Sequence, residues 1–328
     1  MEFRLTIQVR DKLYVIGFLA GAGVLLVLGR GVLPGAAILL TWSLTFGATA
    51  VAAVLGVVLY RLQLQLKASQ MELARKEAEL NIAREVQQAL FPRQLPGGSG
   101  LEFSAVCIPS AGISGDYYDV LSLPDGRLIF AIADISGKGV SAAILMANLQ
   151  ALLRALAPSA PEPSAVCRRL NEHLHQVTDA AKFATLFYAE WNPQERRLTY
   201  VNAGHNAPLL LGNGQCRRLE LGGMPLGMFP AAEFETGWVC LKPGETLVLY
   251  SDGITESAAA GGEEFGESQL EEIVKAHCGK PLAEIQAQVL AAVRRWSGSG
   301  QEDDMTLMLV RATDWKPEIS PNLRQEAL

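Results

Sequence analysis

The chain has 328 residues, with 28 basic and 34 acidic side chains and a formal net charge of −6 at pH 7. This acidic balance, without a basic patch interleaved with aromatic residues, argues against a nucleic-acid partner. The five cysteines are an odd number without paired spacing, which is typical of buried apolar residues rather than of a disulfide framework.

Two uncharged apolar stretches open the chain, at residues 13–28 and 32–60. A membrane-spanning helix needs about twenty apolar residues, so the second stretch is long enough alone and the first is marginal. The basic residues before the first stretch would also suit a signal peptide. However, no convincing small-residue cleavage site is present, and a second apolar stretch follows at once. We therefore predict a membrane anchor at residues 1–60, with transmembrane helices at about 13–29 and 32–60.

Basic residues flank this anchor before the first span and after the second, while the connecting turn carries only Arg30. Loops rich in Lys and Arg stay on the cytoplasmic side. Both termini, and everything after residue 60, are therefore predicted to be cytoplasmic.

Residues 61–92 are predicted to form a helical linker, because no glycine or proline interrupts the chain from Arg61 to Leu90. Leucines recur every seven residues at Leu59, Leu66, Leu73 and Leu80. This heptad favours a short parallel coiled coil, and hence a homodimer. The companion stripe includes Ser69 and Lys76, so a single amphipathic helix lying on the following domain or on the membrane is the alternative.

Four acidic stretches stand where an apolar run meets a turn: Gly115–Asp119, Asp134–Gly139, Ser251–Gly253 and Glu302–Thr306. Any one of them could be an ordinary turn. Carboxylates gathered at strand ends repel one another and are costly to desolvate, so a fold that assembles several usually holds hard divalent cations. Together they point to a metal-dependent hydrolase.

The first two stretches are linked by a predicted β-hairpin. A strong turn at Leu123–Gly126 separates two strand-like runs, Asp116–Ser122 and Arg127–Ile135. Asp116 and Asp134 lie equally far from the turn, so their carboxylates should face each other across the open end of the hairpin. One cation could bridge them.

The rest of the chain alternates predicted strands with amphipathic helices. The helices are expected at Val140–Ala157, Ser164–Val177, Ser268–His277 and Leu282–Trp296. The strands are expected at Ala184–Glu190, Arg197–Val201, Ala207–Leu211, Thr246–Tyr250 and Met305–Val310. This pattern indicates an α+β fold of antiparallel sheets covered by helices.

Seven motifs follow one another between Arg84 and Arg311: Glu85–Pro92, Gly115–Asp119, Ala133–Gly139, Asn202–Asn206, Met224–Gly227, Ser251–Gly253 and Asp303–Thr306. In this order they resemble the PPM family of metal-dependent serine/threonine protein phosphatases, specifically its bacterial SpoIIE-like branch. The resemblance implies a β-sandwich flanked by helices, with metals at one edge. We assign residues 93–313 to this domain and expect a disordered tail at 314–328.

The resemblance also implies the roles of the site residues. Two Mn²⁺ or Mg²⁺ ions would be bridged by Asp134, with the Ile135 carbonyl, Asp252 and Asp303 as further ligands. Asp116 would orient a water held by the ions, which attacks phosphorus directly. Asp304 would be either a primary ligand or a secondary or third-metal ligand.

One departure from the eukaryotic PPM members is that no general-acid histidine follows Asp134, a lack that the SpoIIE-like branch shares. His205 is a substitute donor, or a structural histidine in an Asn-Gly-rich turn. Lys138 would contact substrate phosphate, or would be a solvated surface lysine.

The sequence thus suggests a phosphatase anchored in the cytoplasmic membrane of a bacterium. By resemblance, it would act on phosphoserine or phosphothreonine of a regulatory protein, a STAS-type anti-anti-sigma factor in a partner-switching pathway. The alternatives are a phosphatase of another phosphoester and an inactive scaffold that binds a phosphoprotein. The retention of four site aspartates argues against the scaffold; they are Asp116, Asp134, Asp252 and Asp303.

Overall fold

The structure is a computed structural model that describes residues 17, 20–21, 23–24, 27, 35–178, 182–212, 214–298 and 300–314. It divides into two compact units, Met1–Ala78 and Glu79–Leu328. The predicted first span at 13–29 lies largely outside the described residues, and so does the predicted tail beyond Asp314.

A single helix of 54 residues, α1 (Gly35–Gln88), contains nearly all of the predicted second span and nearly all of the predicted linker. It has no charged residue before Arg61, and its large apolar side chains in this part, such as Leu44, Phe46 and Val54, are exposed. By length and composition α1 could cross a membrane. The only other helix among the described residues that passes the same test starts at Val140 and is partly buried in the second unit.

The second unit is a β-sandwich covered by helices on both faces. Its strands are β1 (Leu101–Ile108), β2 (Tyr117–Ser122), β3 (Leu128–Ile135), β4 (Ala184–Asn192), β5 (Arg197–Ala203), β6 (Leu209–Gly212), β7 (Gln215–Arg218), β8 (Gly222–Gly223), β9 (Gly237–Cys240), β10 (Thr246–Tyr250) and β11 (Met305–Ala312). Its helices after α1 are α2 (Val140–Leu156), α3 (Pro163–Val177), α4 (Asp252–Thr255), α5 (Gly266–Ala276) and α6 (Leu282–Ser297), with a 3₁₀ turn at Ala157–Ser159.

One sheet has the strand order β1-β11-β10-β6-β7, and the other has the order β2-β3-β4-β5-β8, with β9 also paired to β5. We call them sheet A and sheet B. Every named pairing is antiparallel except that of β5 with β8. The predicted α+β sandwich is therefore confirmed.

The apolar core forms three layers. One fills the space between the sheets, one packs α2 and α3 onto sheet B, and one packs α5 and α6 onto sheet A. Strand β3 shows how sequence sets this arrangement, because successive side chains point to opposite faces. Ile129 and Ala131 face the helices, whereas Phe130 and Ile132 face the other sheet.

Candidate metal centre

The predicted hairpin is present, and its open end holds two aspartates. Strands β2 and β3 pair from Ser122↔Leu128 to Tyr117↔Ala133, and the Leu123 N–H donates to the Arg127 carbonyl at 2.9 Å to close the turn. One step beyond the last pair, the register places Asp116 opposite Asp134.

Sheet A brings its acidic residues to the same edge. Beyond the β10–β11 pairing, the Ser251 N–H donates to the Thr306 carbonyl at 3.0 Å, and the Ser251 hydroxyl donates to the Asp304 carbonyl at 3.2 Å. These bonds hold Asp252 next to Asp303. Gly253 is required at this point, because a Cβ there would lie 2.1 Å from the Asp304 carbonyl oxygen.

Asp134 of sheet B interacts electrostatically with the acidic residues at the edge of sheet A. Burial, followed by repulsion from Asp252 and Asp303, raises the pKa of Asp134 to about 7. Burial and then Asp303 also raise the pKa of Asp252. The structure thus brings Asp116, Asp134, Asp252 and Asp303 to one edge of the sandwich, as their positions at strand ends predicted.

Asp116 is the most deeply buried of these four carboxylates. It is 1% exposed, and its Oδ2 has no hydrogen-bond partner among the described residues. Burial and the neighbouring Asp134 raise its pKa well above the usual value. A buried carboxylate oxygen without a partner is costly, and a cation would relieve that cost.

The residues fit hard divalent ions by charge and by donor type, since carboxylate oxygens are the ligands that Mg²⁺ and Mn²⁺ prefer. Within the described part of the chain, no three His, Cys, Asp or Glu side chains stand in a ligating arrangement by themselves. The protein side chains alone therefore do not complete a coordination shell. A backbone donor, such as the predicted carbonyl of Ile135, is compatible with this shortfall.

Asp304 is bound to the protein on both carboxylate oxygens. Oδ1 accepts from the backbone N–H and hydroxyl of Ser110 at 2.7 and 3.1 Å, and Oδ2 accepts from the Ser114 hydroxyl at 2.8 Å and the Gly115 N–H at 2.7 Å. With four donors, Asp304 holds the loop that leads to Asp116. The Asp116 N–H in turn donates to the Ser114 hydroxyl at 3.0 Å.

Sequence reasoning missed the contact that the end of α1 makes with this loop. The Gln87 side-chain amide donates to the Ser114 carbonyl at 2.7 Å, and the Ser114 N–H donates to Gln87 Oε1 at 2.8 Å. Arg84 Nε donates to the Gly112 carbonyl at 2.7 Å. Gln87 belongs to a motif that the sequence singled out, but nothing in its surroundings marked it as the buried member of the helix face.

Lys138 lies at the rim of the site. Its Nζ is 2.9 Å from Asp303 Oδ2 and donates to the Glu302 carbonyl at 2.8 Å, and its side chain is 58% exposed. In this position it neutralises part of the acidic edge and remains open to solvent.

His205 lies behind the site rather than in it. Its Nδ1 is 2.8 Å from the Thr185 hydroxyl, and Thr185 pairs with Asp134 in the sheet. The side-chain amide of Asn202 donates to the His205 carbonyl, and the Asn202 Oδ1 accepts from the His205 N–H. Burial lowers the pKa of His205 to about 4, so the ring is neutral at physiological pH. These contacts fit the structural interpretation better than that of a proton donor.

Comparison with known proteins shows to which family the chain belongs. Residues 124–313 match the family described as Stage II sporulation protein E (SpoIIE), a segment that begins after Asp116. The phosphoserine phosphatase RsbU of Bacillus subtilis (strain 168) is 30% identical over 237 residues, which cover 72% of this chain and 70% of that protein.

Solved structures share the fold. The SiaA-PP2C domain of Pseudomonas aeruginosa has a TM-score of 0.66 at 22% identity, covering 74% of this chain and 99% of that domain. RsbX in complex with magnesium has a TM-score of 0.51 at 19% identity, covering 67% of this chain and 99% of that protein. The chain therefore belongs to the SpoIIE family of metal-dependent, PP2C-type serine/threonine protein phosphatases.

Proposed function

We propose that this chain is a membrane-anchored phosphatase that removes phosphate from phosphoserine or phosphothreonine of a regulatory protein. Two Mn²⁺ or Mg²⁺ ions would be held by Asp134, the Ile135 carbonyl, Asp252 and Asp303. The single observation that carries this proposal is the buried carboxylate of Asp116, whose Oδ2 has no hydrogen-bond partner among the described residues and which faces Asp134 where two further carboxylates converge.

When bound, the ions would neutralise charge on the phosphoryl oxygens and supply a nucleophile at neutral pH. The protein provides the positions. Asp116 is fixed through Ser114, Asp304 and Gln87, and it would orient the attacking water. Lys138 stands at the rim, where its ammonium can meet a phosphoryl oxygen of the substrate.

Strand β2 is further fixed by an ion pair with α2. The Asp119 carboxylate accepts from Arg154 Nε at 2.7 Å and Nη2 at 2.9 Å, and from the Tyr117 hydroxyl at 2.6 Å. A bidentate pair of this kind restricts both partners. Because Asp119 is three residues from Asp116, the pair limits how far the reactive carboxylate can move.

For the substrate, we propose a serine-phosphorylated STAS-type anti-anti-sigma factor in a partner-switching pathway. The support is the similarity to RsbU, which is named a phosphoserine phosphatase. A substrate of this kind presents its phosphoserine on a folded protein, so the enzyme must bind more than the phosphate itself.

We also propose that residues 1–60 anchor the chain in the bacterial cytoplasmic membrane, with residues 61–92 as a linker and residues 93–313 as the phosphatase domain in the cytoplasm. The uncharged, exposed apolar surface of α1 before Arg61 supports the anchor. The exposed heptad leucines, including Leu66 and Leu73, support a homodimer through the linker.

The test is phosphate release from a serine-phosphorylated STAS-domain protein by the full-length chain in detergent, with Mn²⁺ and with a chelator. We expect release only with Mn²⁺, and its loss in Asp134→Asn. Asp125→Asn, at the opposite end of the same hairpin, is the matched control and should retain activity. Binding of the phosphoprotein without metal-dependent release would favour the inactive scaffold instead.

A further inference from the structure

Asp304 connects the two sheets at the acidic edge. It directly precedes β11 of sheet A. The segment from β1 to β2 passes from sheet A to sheet B and carries Asp116 just before β2 begins. The donors to the Asp304 carboxylate all come from this segment, at Ser110, Ser114 and Gly115. A side chain of sheet A therefore holds the segment that brings Asp116 to the edge of sheet B.

Donors of the described chain occupy every acceptor position of the Asp304 carboxylate. A carboxylate accepts at about four lone-pair positions, two on each oxygen. Oδ1 accepts from two donors of Ser110, and Oδ2 accepts from one donor each of Ser114 and Gly115. A cation at either oxygen would displace one of these donors. Two of them are backbone N–H groups, which are costly to leave unpaired in a buried place.

Two neighbouring carboxylates differ from Asp304 in this respect. Asp116 Oδ2 has no hydrogen-bond partner among the described residues. Asp303 Oδ2 lies 2.9 Å from the exposed ammonium of Lys138, which water can solvate in its place. A cation can therefore bind at these two oxygens without leaving a buried backbone donor unpaired.

We propose that Asp304 is a positioning residue and not a metal ligand, an inference that rests on the proposed function. It ties the β1–β2 segment to the start of β11, and so keeps Asp116 in place relative to Asp252 and Asp303 of sheet A. The link to Asp116 is short, because the Ser114 hydroxyl that donates to Asp304 also accepts from the Asp116 N–H at 3.0 Å. Asp304 thus acts on the reaction through the position of Asp116.

The two roles predict opposite changes in the stability of the metal-free protein. A ligand within a group of repelling carboxylates destabilises the metal-free chain, so Asp303→Asn should leave its Tm unchanged or raise it. Asp304→Asn also removes a charge, but its amide group would face two donors whichever way it is turned. We therefore expect Asp304→Asn to lower the Tm of the metal-free full-length chain by about 5 °C or more.

Metal binding and kinetics separate the two roles further. In calorimetric titration, Asp304→Asn should bind as many Mn²⁺ ions as the wild type, whereas Asp303→Asn should bind Mn²⁺ at least about tenfold more weakly. With the serine-phosphorylated STAS-domain protein, Asp304→Asn should lower kcat about tenfold and leave KM within about twofold. In the Asp116→Asn background the same change should lower kcat by less than about twofold, because the residue through which it acts is already lost.

Two further variants make the test independent of how well Asp304→Asn folds. Ser114→Ala removes one donor to Asp304 and should lower kcat about fivefold, with the number of bound Mn²⁺ ions unchanged. Glu245→Ala is the matched control. Glu245 is also buried, its Oε2 accepts from the Lys242 N–H at 2.9 Å, and it lies at the end of β10 away from the acidic edge. Its loss should lower the Tm and leave kcat within about twofold.

A higher Tm of metal-free Asp304→Asn, together with the loss of a bound Mn²⁺ ion, would overturn the proposal and make Asp304 a ligand. Additive losses of kcat in Asp304→Asn and Asp116→Asn would also overturn it, since Asp304 would then act independently of Asp116. An equal fall of kcat in Glu245→Ala would reduce the effect to a general loss of stability. A wild-type chain that releases no phosphate with Mn²⁺ would overturn the proposed function itself, and the positioning role with it.

Discussion

The two ends of the β2–β3 hairpin carry the same residue type in opposite environments. At the turn, Asp125 is half-exposed and 2.7 Å from Arg127, and its hydrogen bonds to Arg127 lower its pKa. At the open end, the pKa values of Asp116 and Asp134 are raised by burial and by each other or by nearby carboxylates. In a fold selected only for stability, the carboxylates at the open end would be paired like the one at the turn. The buried, mutually repelling carboxylates of the open end instead destabilise the metal-free protein, as expected of a site that binds a cation.

The largest effect should come from removing one charge at the open end. For Asp116→Asn we expect kcat to fall about 100-fold or more, since the group that we propose to orient the attacking water is lost. We also expect the metal-free protein to become more stable, by about 1 kcal/mol, because a buried repulsion is removed. Phosphate release and urea unfolding of the metal-free chain measure the two effects. A loss of activity together with a loss of stability would contradict this interpretation of the open end.

The next largest effect should come from removing the support behind Asp116. Gln87→Ala leaves the backbone groups of Ser114 without their partners, so we expect a loss of about 1–3 kcal/mol in unfolding free energy and roughly tenfold lower activity. Gln88→Ala is the matched control, because Gln88 is the exposed neighbour on the same helix. Equal behaviour of the two variants would show that the contact does not position the loop.

The pH dependence of stability should have opposite signs for the aspartates at the two ends of the hairpin. With a pKa of about 7, folded Asp134 holds more protons than the unfolded chain does between about pH 4 and 7, so its contribution to stability falls as pH rises through that range. As a proposed ligand, Asp134 would bind Mn²⁺ in competition with those protons, so the affinity for Mn²⁺ should be about tenfold higher at pH 8 than at pH 6.

Thermal unfolding measures this competition. The increase in Tm caused by a fixed Mn²⁺ concentration should be about 3–5 °C larger at pH 8 than at pH 6. Asp134→Asn should reduce that difference. The lowered pKa of Asp125 acts in the opposite sense, because its contribution is present above about pH 4 and is lost in acid.

The smallest effect should come from the turn end. Asp125→Asn breaks an exposed ion pair, and exposed pairs contribute little, so stability should change by about 0.5 kcal/mol or less. Metal-dependent activity should not change. A large loss of activity in this variant would mean that the turn, and not the open end alone, controls the site.

The hairpin and its paired aspartates were predictable because the information is local. A Pro-Asp-Gly turn sets the register, and equal spacing then places Asp116 and Asp134 together. The positions of Asp252 and Asp303 followed from apolar runs that end in acidic residues. These features depend on strand periodicity and turn chemistry, which a sequence displays directly.

The supporting contacts were not predictable in the same way. Gln87 meets Ser114 across 27 residues, and the four donors to Asp304 come from a loop about 190 residues away. Strand β9 has four residues and exists through its pairing with β5. These contacts and this strand depend on long-range packing, which neither the propensity of single residues nor the periodicity of the sequence predicts.

Gly253 also determines how closely Asp252 and Asp303 approach each other at the acidic edge. Its missing side chain lets the chain after Asp252 lie against the Asp304 carbonyl, so the approach of two backbones sets the distance between Asp252 and Asp303. Each added atom at residue 253 would push these strand ends apart. A series from glycine through alanine and serine to valine would then widen the opening stepwise, with the order of Mg²⁺ and Mn²⁺ affinities reporting the size of ion that the edge was built to hold.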